Sequence, residues 1–181
     1  YSEAHCNLGV SLIQKGNLNE AIESFQKAIK YKPSYPEAFY YIGNIHKTLG
    51  EVNKAINSYK LAIKYKPKYP EAFNNLGFLY KAENNVDLAI SCFKKAINLK
   101  TEYSEALNNL GNTYRELGNF KDAINYLDQA ISSKPDFAEA INNLGTAYEE
   151  EEKFKISINY YEKAIKIKPD YPEAYFNLAN S

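Results

Sequence analysis

The sequence has no methionine and no tryptophan, only two cysteines and two histidines, and no net charge, with 22 Lys and Arg against 22 Asp and Glu in 181 residues. Each shortage excludes something. Nucleic-acid binders carry a surplus of basic residues and usually run well above pI 9, so a balanced chain of pI near 6.9 is not expected to hold DNA or RNA. No apolar run approaches the roughly 18 residues of a membrane span, and the stretch from Tyr1 to Leu12 lacks the basic, apolar and small-residue order of an export signal. No membrane partner is expected, and a cytoplasmic location is the default. The missing initiator methionine, with a first residue that falls inside a repeating pattern, suggests a fragment of a larger protein. What the chain does have is 45% hydrophobic residues, enough to build a core.

Those residues recur with a fixed period. Asn7-Leu8-Gly9, Tyr41-Ile42-Gly43, Asn75-Leu76-Gly77, Asn109-Leu110-Gly111, Asn143-Leu144-Gly145 and Asn177-Leu178-Ala179 are each 34 residues apart. A single array over 1–181 follows, with repeats 2–35, 36–69, 70–103, 104–137 and 138–171 and a partial sixth, 172–181. The third position is always Ala (Ala4, Ala38, Ala72, Ala106, Ala140, Ala174), as is the twenty-seventh, from Ala28 to Ala164. The twentieth is small, and the twenty-fourth is large and apolar: Phe25, Tyr59, Phe93, Leu127, Tyr161. Small positions facing large ones predict interdigitated packing. Apolar residues follow three-and-four spacing in both halves of a repeat, so each is expected to form two amphipathic helices, an all-α fold. Gly16, Gly50, Asn84 and Gly118 sit where a left-handed residue ends the first helix. Pro33, Pro67, Pro135 and Pro169 end the second, while Pro36, Pro70 and Pro172 open the next. Tyr35, Tyr69, Tyr103, Phe137 and Tyr171 close the repeats, placed to staple the following helix.

This pattern resembles the tetratricopeptide repeat. Departures are few: the bulky fourth position is never Trp, the closing Pro is Thr101 in the third repeat, and the turn residue is Glu152 in the fifth. The resemblance implies a right-handed superhelix of antiparallel helix pairs, whose first helices line a concave groove for a peptide or a partner's helix. Because Glu152 replaces a turn glycine within the acidic run Glu149 to Glu152, a longer first helix or a softer turn is expected there.

Catalytic chemistry is sparse. His5 and His46 fall on apolar faces and read as packing residues, and Cys6 and Cys92 lie more than two repeats apart. At about 8 to 10 Å per helix that is far beyond the about 7 Å reach of a disulfide. No glycine-rich phosphate loop, CxxC, HExxH or GxSxG is present. The expected function is therefore a non-catalytic protein-interaction scaffold, with no enzyme activity, cofactor or metal.

If the first helices line a groove, its expected residues are Asn7, Tyr41, Asn44, Asn74, Asn75, Phe78, Asn108, Asn109, Asn112, Asn142, Asn143 and Asn177, a ladder of amides with a few aromatics. An amide both donates and accepts, so it can pair with the backbone of an extended peptide of any sequence. The same asparagines also suit a structural reading, as residues common at this position in such repeats. A groove of about 50 Å would take about 15 extended residues. At about 0.5 to 1.5 kcal/mol per amide, less the cost of association, micromolar affinity is expected. Glu occupies the second position of every repeat (Glu3, Glu37, Glu71, Glu105, Glu139, Glu173). It either complements the helix dipole or forms a rim favouring basic ligands. Lysines such as Lys27, Lys60, Lys94 and Lys163 read as a solvated outer face.

Two subfamilies can be compared. The Lys and Arg clamp of chaperone-tail domains is absent, since the matching positions are Cys6, Val10, Tyr41, Glu71 and Asn75. The asparagine ladder is similar to the repeat arm of O-linked N-acetylglucosamine transferase and its bacterial relatives, where such residues hold substrate peptides. Asn7, Asn75, Asn109, Asn143 and Asn177 match, and Tyr41 departs. A substrate-recruiting arm of a glycosyltransferase-like enzyme is thus one alternative. A self-associating array is another, since the last helix lacks a partner and Tyr175, Phe176 and Leu178 would pair end to end with another copy.

Overall fold

The computed structural model describes residues 1–181 as eleven α-helices: α1 (Ser2–Gln14), α2 (Leu18–Tyr31), α3 (Pro36–Thr48), α4 (Val52–Tyr65), α5 (Pro70–Ala82), α6 (Val86–Leu99), α7 (Ser104–Glu116), α8 (Phe120–Ser133), α9 (Ala138–Glu150), α10 (Phe154–Ile167) and α11 (Pro172–Asn180). They gather into two compact units, Tyr1–Glu83 and Asn84–Ser181, divided within the turn of the third repeat. In the first unit α1 packs on α2, α2 on α3, α3 on α4 and α4 on α5. In the second, α6 to α11 pack in the same serial way, with α7 also against α9.

Each repeat opens on an aromatic N-cap whose side chain makes no cap hydrogen bond, and α3, α5 and α11 carry proline in their first turn. Proline lacks the N–H that a helix start leaves unpaired in any case, so these helices begin without cost to the ladder. First helices end on a left-handed residue: Gly16, Gly50, Asn84, Gly118 and Glu152 have φ of 81°, 73°, 59°, 72° and 61°. At Gly118 the amide donates to the Arg115 carbonyl at 2.8 Å, and Asn119 N–H to the Tyr114 carbonyl at 2.9 Å. Glu152 closes the same two bonds, to Glu149 at 2.8 Å and from Lys153 to Tyr148 at 2.9 Å. The expected longer helix or softer turn is therefore corrected: α9 has 13 residues, as α1, α3 and α7 do, and the turn is ordinary. Packing of the hairpin sets the backbone, and Glu152 bears a left-handed strain of about 1 to 2 kcal/mol.

The core repeats as the small and large positions foretold. Phe25, Tyr59, Phe93, Leu127 and Tyr161 are fully buried, as are the alanines of positions twenty and twenty-seven. The eighth-position glycines admit the large residue: a Cβ on Gly43 would lie 2.7 Å from the Tyr59 ring, and one on Gly145 2.7 Å from that of Tyr161. These glycines exist for close approach, whereas those of the turns exist for positive φ.

Candidate functional site

In the first unit the groove-face residues are tied into a polar and aromatic network. Asn75 Nδ2 donates to Asn44 Oδ1 at 3.0 Å and to the Tyr40 hydroxyl oxygen at 3.4 Å, while the Tyr59 hydroxyl donates to Asn44 Oδ1 at 2.7 Å. The amides are thus anchored to the core through Tyr59. Burial pushes the Tyr59 and Tyr40 hydroxyls above their ordinary pKa, so both stay neutral through the physiological range, Tyr59 as donor to Asn44 and Tyr40 as acceptor from Asn75. Tyr41 stacks on Phe25 at 5.3 Å, and Tyr40 meets Tyr69 at 5.0 Å. Beside Asn44 a cavity of about 200 Å³ is lined mainly by Val10, Ile13, Leu18 and Tyr41. Asn7 is exposed, and Phe78 is half exposed with Lys47 Nζ 5.8 Å from its ring.

In the second unit most of the same positions are amides, Thr146 and Phe176 being the exceptions. Asn143 Nδ2 donates to Asn108 Oδ1 at 2.9 Å, Asn177 Nδ2 to Asn142 Oδ1 at 3.1 Å, and Asn108 Nδ2 to Glu139 Oε1 at 3.0 Å. Asn112 accepts from Arg115 Nε and donates to Glu116. Asn109, Asn112, Asn143 and Asn177 are half-buried. A cavity of about 740 Å³ adjoins this seam, lined among others by Asn112, Asn143, Glu139 and Glu173.

One part of the expectation is revised. Asn74, Asn108 and Asn142, at the fifth position, are 7%, 2% and 0% exposed, so they line no open surface. Position five falls in the seam between successive first helices, where Asn108 and Asn142 fix the sixth-position amide of the following repeat. The exposed part of the ladder is the sixth and ninth positions. His46 also does more than pack, since its Nδ1 meets the Glu51 carboxylate across the α3–α4 turn. Lys54 and then His46 hold the Glu51 carboxyl below its ordinary pKa. His5 stacks on Tyr31 at 5.6 Å. Cys6 and Cys92 are buried and form no disulfide, and burial raises the Cys6 thiol, which disfavours the reactive thiolate. No group of three or more His, Cys, Asp or Glu is placed to hold a metal ion, and no helix is long and apolar enough to cross a membrane.

Sequence reasoning missed a device at the end of every repeat. Lys32, Lys66, Lys100, Lys134 and Lys168 place their ammonium 4.7, 4.3, 4.5, 4.8 and 4.7 Å from the ring centroids of Tyr35, Tyr69, Tyr103, Phe137 and Tyr171. Each such contact is worth about 0.5 to 1 kcal/mol when exposed. The signal was a Lys-x-x-aromatic recurring every 34 residues.

Comparison with known proteins agrees with this geometry. Profiles described as TPR repeat match residues 9–50 and 43–84, and profiles described as tetratricopeptide repeat match 68–136 and 108–172. Among curated proteins none matches. The crystal structure of MamA is similar at 29% identity and a TM-score of 0.79, covering 89% of this chain and 94% of that one. YrrB, a TPR protein with an unusual peptide-binding site, shares the fold at 23% identity and 0.77, covering 95% and 89%. A thermophilic TPR protein of Thermus thermophilus, TTC0263, does so at 24% identity and 0.75, covering 99% and 98%. With 34-residue helical hairpins, left-handed turns in register and these matches across most of its length, the chain belongs to the tetratricopeptide repeat family.

Proposed function

We propose that the chain is a non-catalytic protein-interaction scaffold holding an extended peptide, or a partner's helix, against the face of its first helices. The carrying observation is the amide seam. Asn75, Asn143 and Asn177 each use Nδ2 to reach the preceding repeat, are half-buried, and leave Oδ1 uncommitted. Acceptors held in place by a seam lose little freedom on binding, which favours association, and a peptide N–H is their natural donor. The likeness to YrrB, a protein with a peptide-binding site, supports the same reading.

The test is a pull-down with the wild-type array and an Asn75→Ala, Asn109→Ala, Asn143→Ala variant, matched for helicity and melting temperature. Partners lost only in the variant are expected; equal retention by both overturns the reading. Recovery of glycosylation substrates by the same amides would favour the recruiting arm of a glycosyltransferase-like enzyme. Association between copies through α11 is favoured by Tyr175 and Phe176, 49% and 69% exposed. A monomer in sedimentation at high micromolar concentration removes it.

A further inference from the structure

The second unit carries a preference of charge as well as a face. The cavity of about 740 Å³ lies within the range of ligand sites. Its wall holds three carboxylates, Asp136, Glu139 and Glu173, and a single cation, Lys168. That cation is drawn to an aromatic face, 4.7 Å from the centroid of Tyr171, and pairs with none of the three. Asp136, Glu139 and Glu173 are all exposed, and the partner of Glu139 is the neutral amide of Asn108. The first unit differs, since there Glu37 is paired with Lys66 at 3.5 Å.

A second observation singles out Glu173. Asn108 Nδ2 donates to Glu139, 31 residues on, and the same register would give Asn142 Nδ2 to Glu173. Asn142 is instead fully buried with Nδ2 unpartnered, while Glu173 lines the cavity. Glu139 is therefore a carboxylate fixed by an amide, and Glu173 one that has declined its internal donor and is free for a cation. We propose that this cavity receives an arginine or lysine side chain of an extended basic peptide, gripped between Glu139 and Glu173 with Ile167 and Phe137 against its methylene stem. The arrangement suits a long cationic side chain because the stem covers apolar wall while the head group reaches the carboxylates. It rests on the peptide-scaffold reading and adds the chemistry of the ligand.

The test uses three fluorescein-labelled 12-residue peptides, (Gly-Ser-Arg)4, (Gly-Ser-Gln)4 and (Gly-Ser-Glu)4, titrated with the full chain by anisotropy at about physiological ionic strength. The Arg peptide is expected to bind about tenfold tighter than the Gln peptide, and the Glu peptide weakest. Glu139→Gln with Glu173→Gln should bring the Arg peptide to the Gln level and leave the Gln peptide unchanged. A variant with the same change of net charge on second helices, Asp87→Asn with Glu162→Gln, should keep the Arg preference. Equal binding of Arg and Gln peptides, or equal losses in the two double variants, overturns the charge assignment while the scaffold reading stands. Absence of binding by all three peptides overturns both. Circular dichroism confirms that each variant remains folded.

Discussion

The second repeat and the fourth and fifth, which lie in different units, fill the same register slots with different chemistry. At positions five and six the second repeat has Tyr40 and Tyr41, while the fourth and fifth have Asn108, Asn109, Asn142 and Asn143. Rings hold much of the first seam by stacking, Phe25 on Tyr41 and Tyr40 on Tyr69, beside one amide bond from Asn75 to Asn44. Amides hold the second by directed bonds from one repeat to the next. Stacking tolerates small displacements, whereas an amide must find a partner for each atom, and Asn142 Nδ2 has none. A repeat fold can therefore keep its helices in register by either means, but only the amides, Asn75 of the first unit included, leave oriented polar atoms for a ligand.

The largest test treats the units alike. Burial raises Tyr35, Tyr40, Tyr59 and Tyr69 in the first and Tyr148, Tyr160, Tyr161 and Tyr171 in the second, with Tyr35 and Tyr171 both reaching about 12. Their neutral forms are favoured by folding, so the stabilisation is complete below the unfolded value of about 10 and is lost as pH rises through the folded one. Both units should unfold cooperatively with phenolate absorbance between about pH 10 and 12. Stepwise ionisation with helicity intact would refute the shared core. Tyr59→Ala and Tyr161→Ala should each cost about 3 to 5 kcal/mol in denaturant unfolding, again without distinguishing the units.

Smaller perturbations should separate them. Asn108→Ala strands the Asn143 amide and releases Glu139, and should cost about 1 to 3 kcal/mol. Tyr40→Phe removes a hydroxyl that Asn75 meets only at 3.4 Å while keeping its 3.0 Å bond to Asn44, and should cost less than about 1 kcal/mol. Equal costs in urea titrations would mean that rings and amides hold their seams alike. The finest contrast is in the turns. Glu152→Gly relieves a positive φ and should raise stability by up to about 1 kcal/mol, whereas Gly50→Ala in the first unit should lower it by a similar amount. A loss at Glu152→Gly would show that its side chain contributes something beyond the turn.

The hairpins, their length and their turn residues were legible because a 34-residue period overdetermines them: the first helix is read six times over and the second five. Periodicity also assigned a face to every residue. It could not tell an exposed position from one in the seam between neighbouring helices, because both lie on the same side of the first helix. Asn108 and Asn109 differ by one residue and by the choice between inside and outside. The turn at Glu152 was misread for a related reason: local preference disfavours Glu at positive φ, but the hairpin's packing outweighs a preference of about 1 to 2 kcal/mol. The paired Lys and aromatic residues were visible as letters and unread, since a three-residue spacing outside a helix carries no fixed geometry until the loop is folded.

Those pairs also bear on how such a chain can lengthen. Lys32 and Tyr35 belong to the same 34-residue stretch, as do the four pairs after them. Duplicating one stretch in the gene therefore copies a complete joint, with nothing to be re-matched at its borders. The amide seam is the opposite, because donor and acceptor come from consecutive copies and each insertion must find a compatible neighbour. In a protein built of nearest-neighbour contacts, the array can change its repeat number through the first kind of joint, while the second restricts which copies can stand side by side.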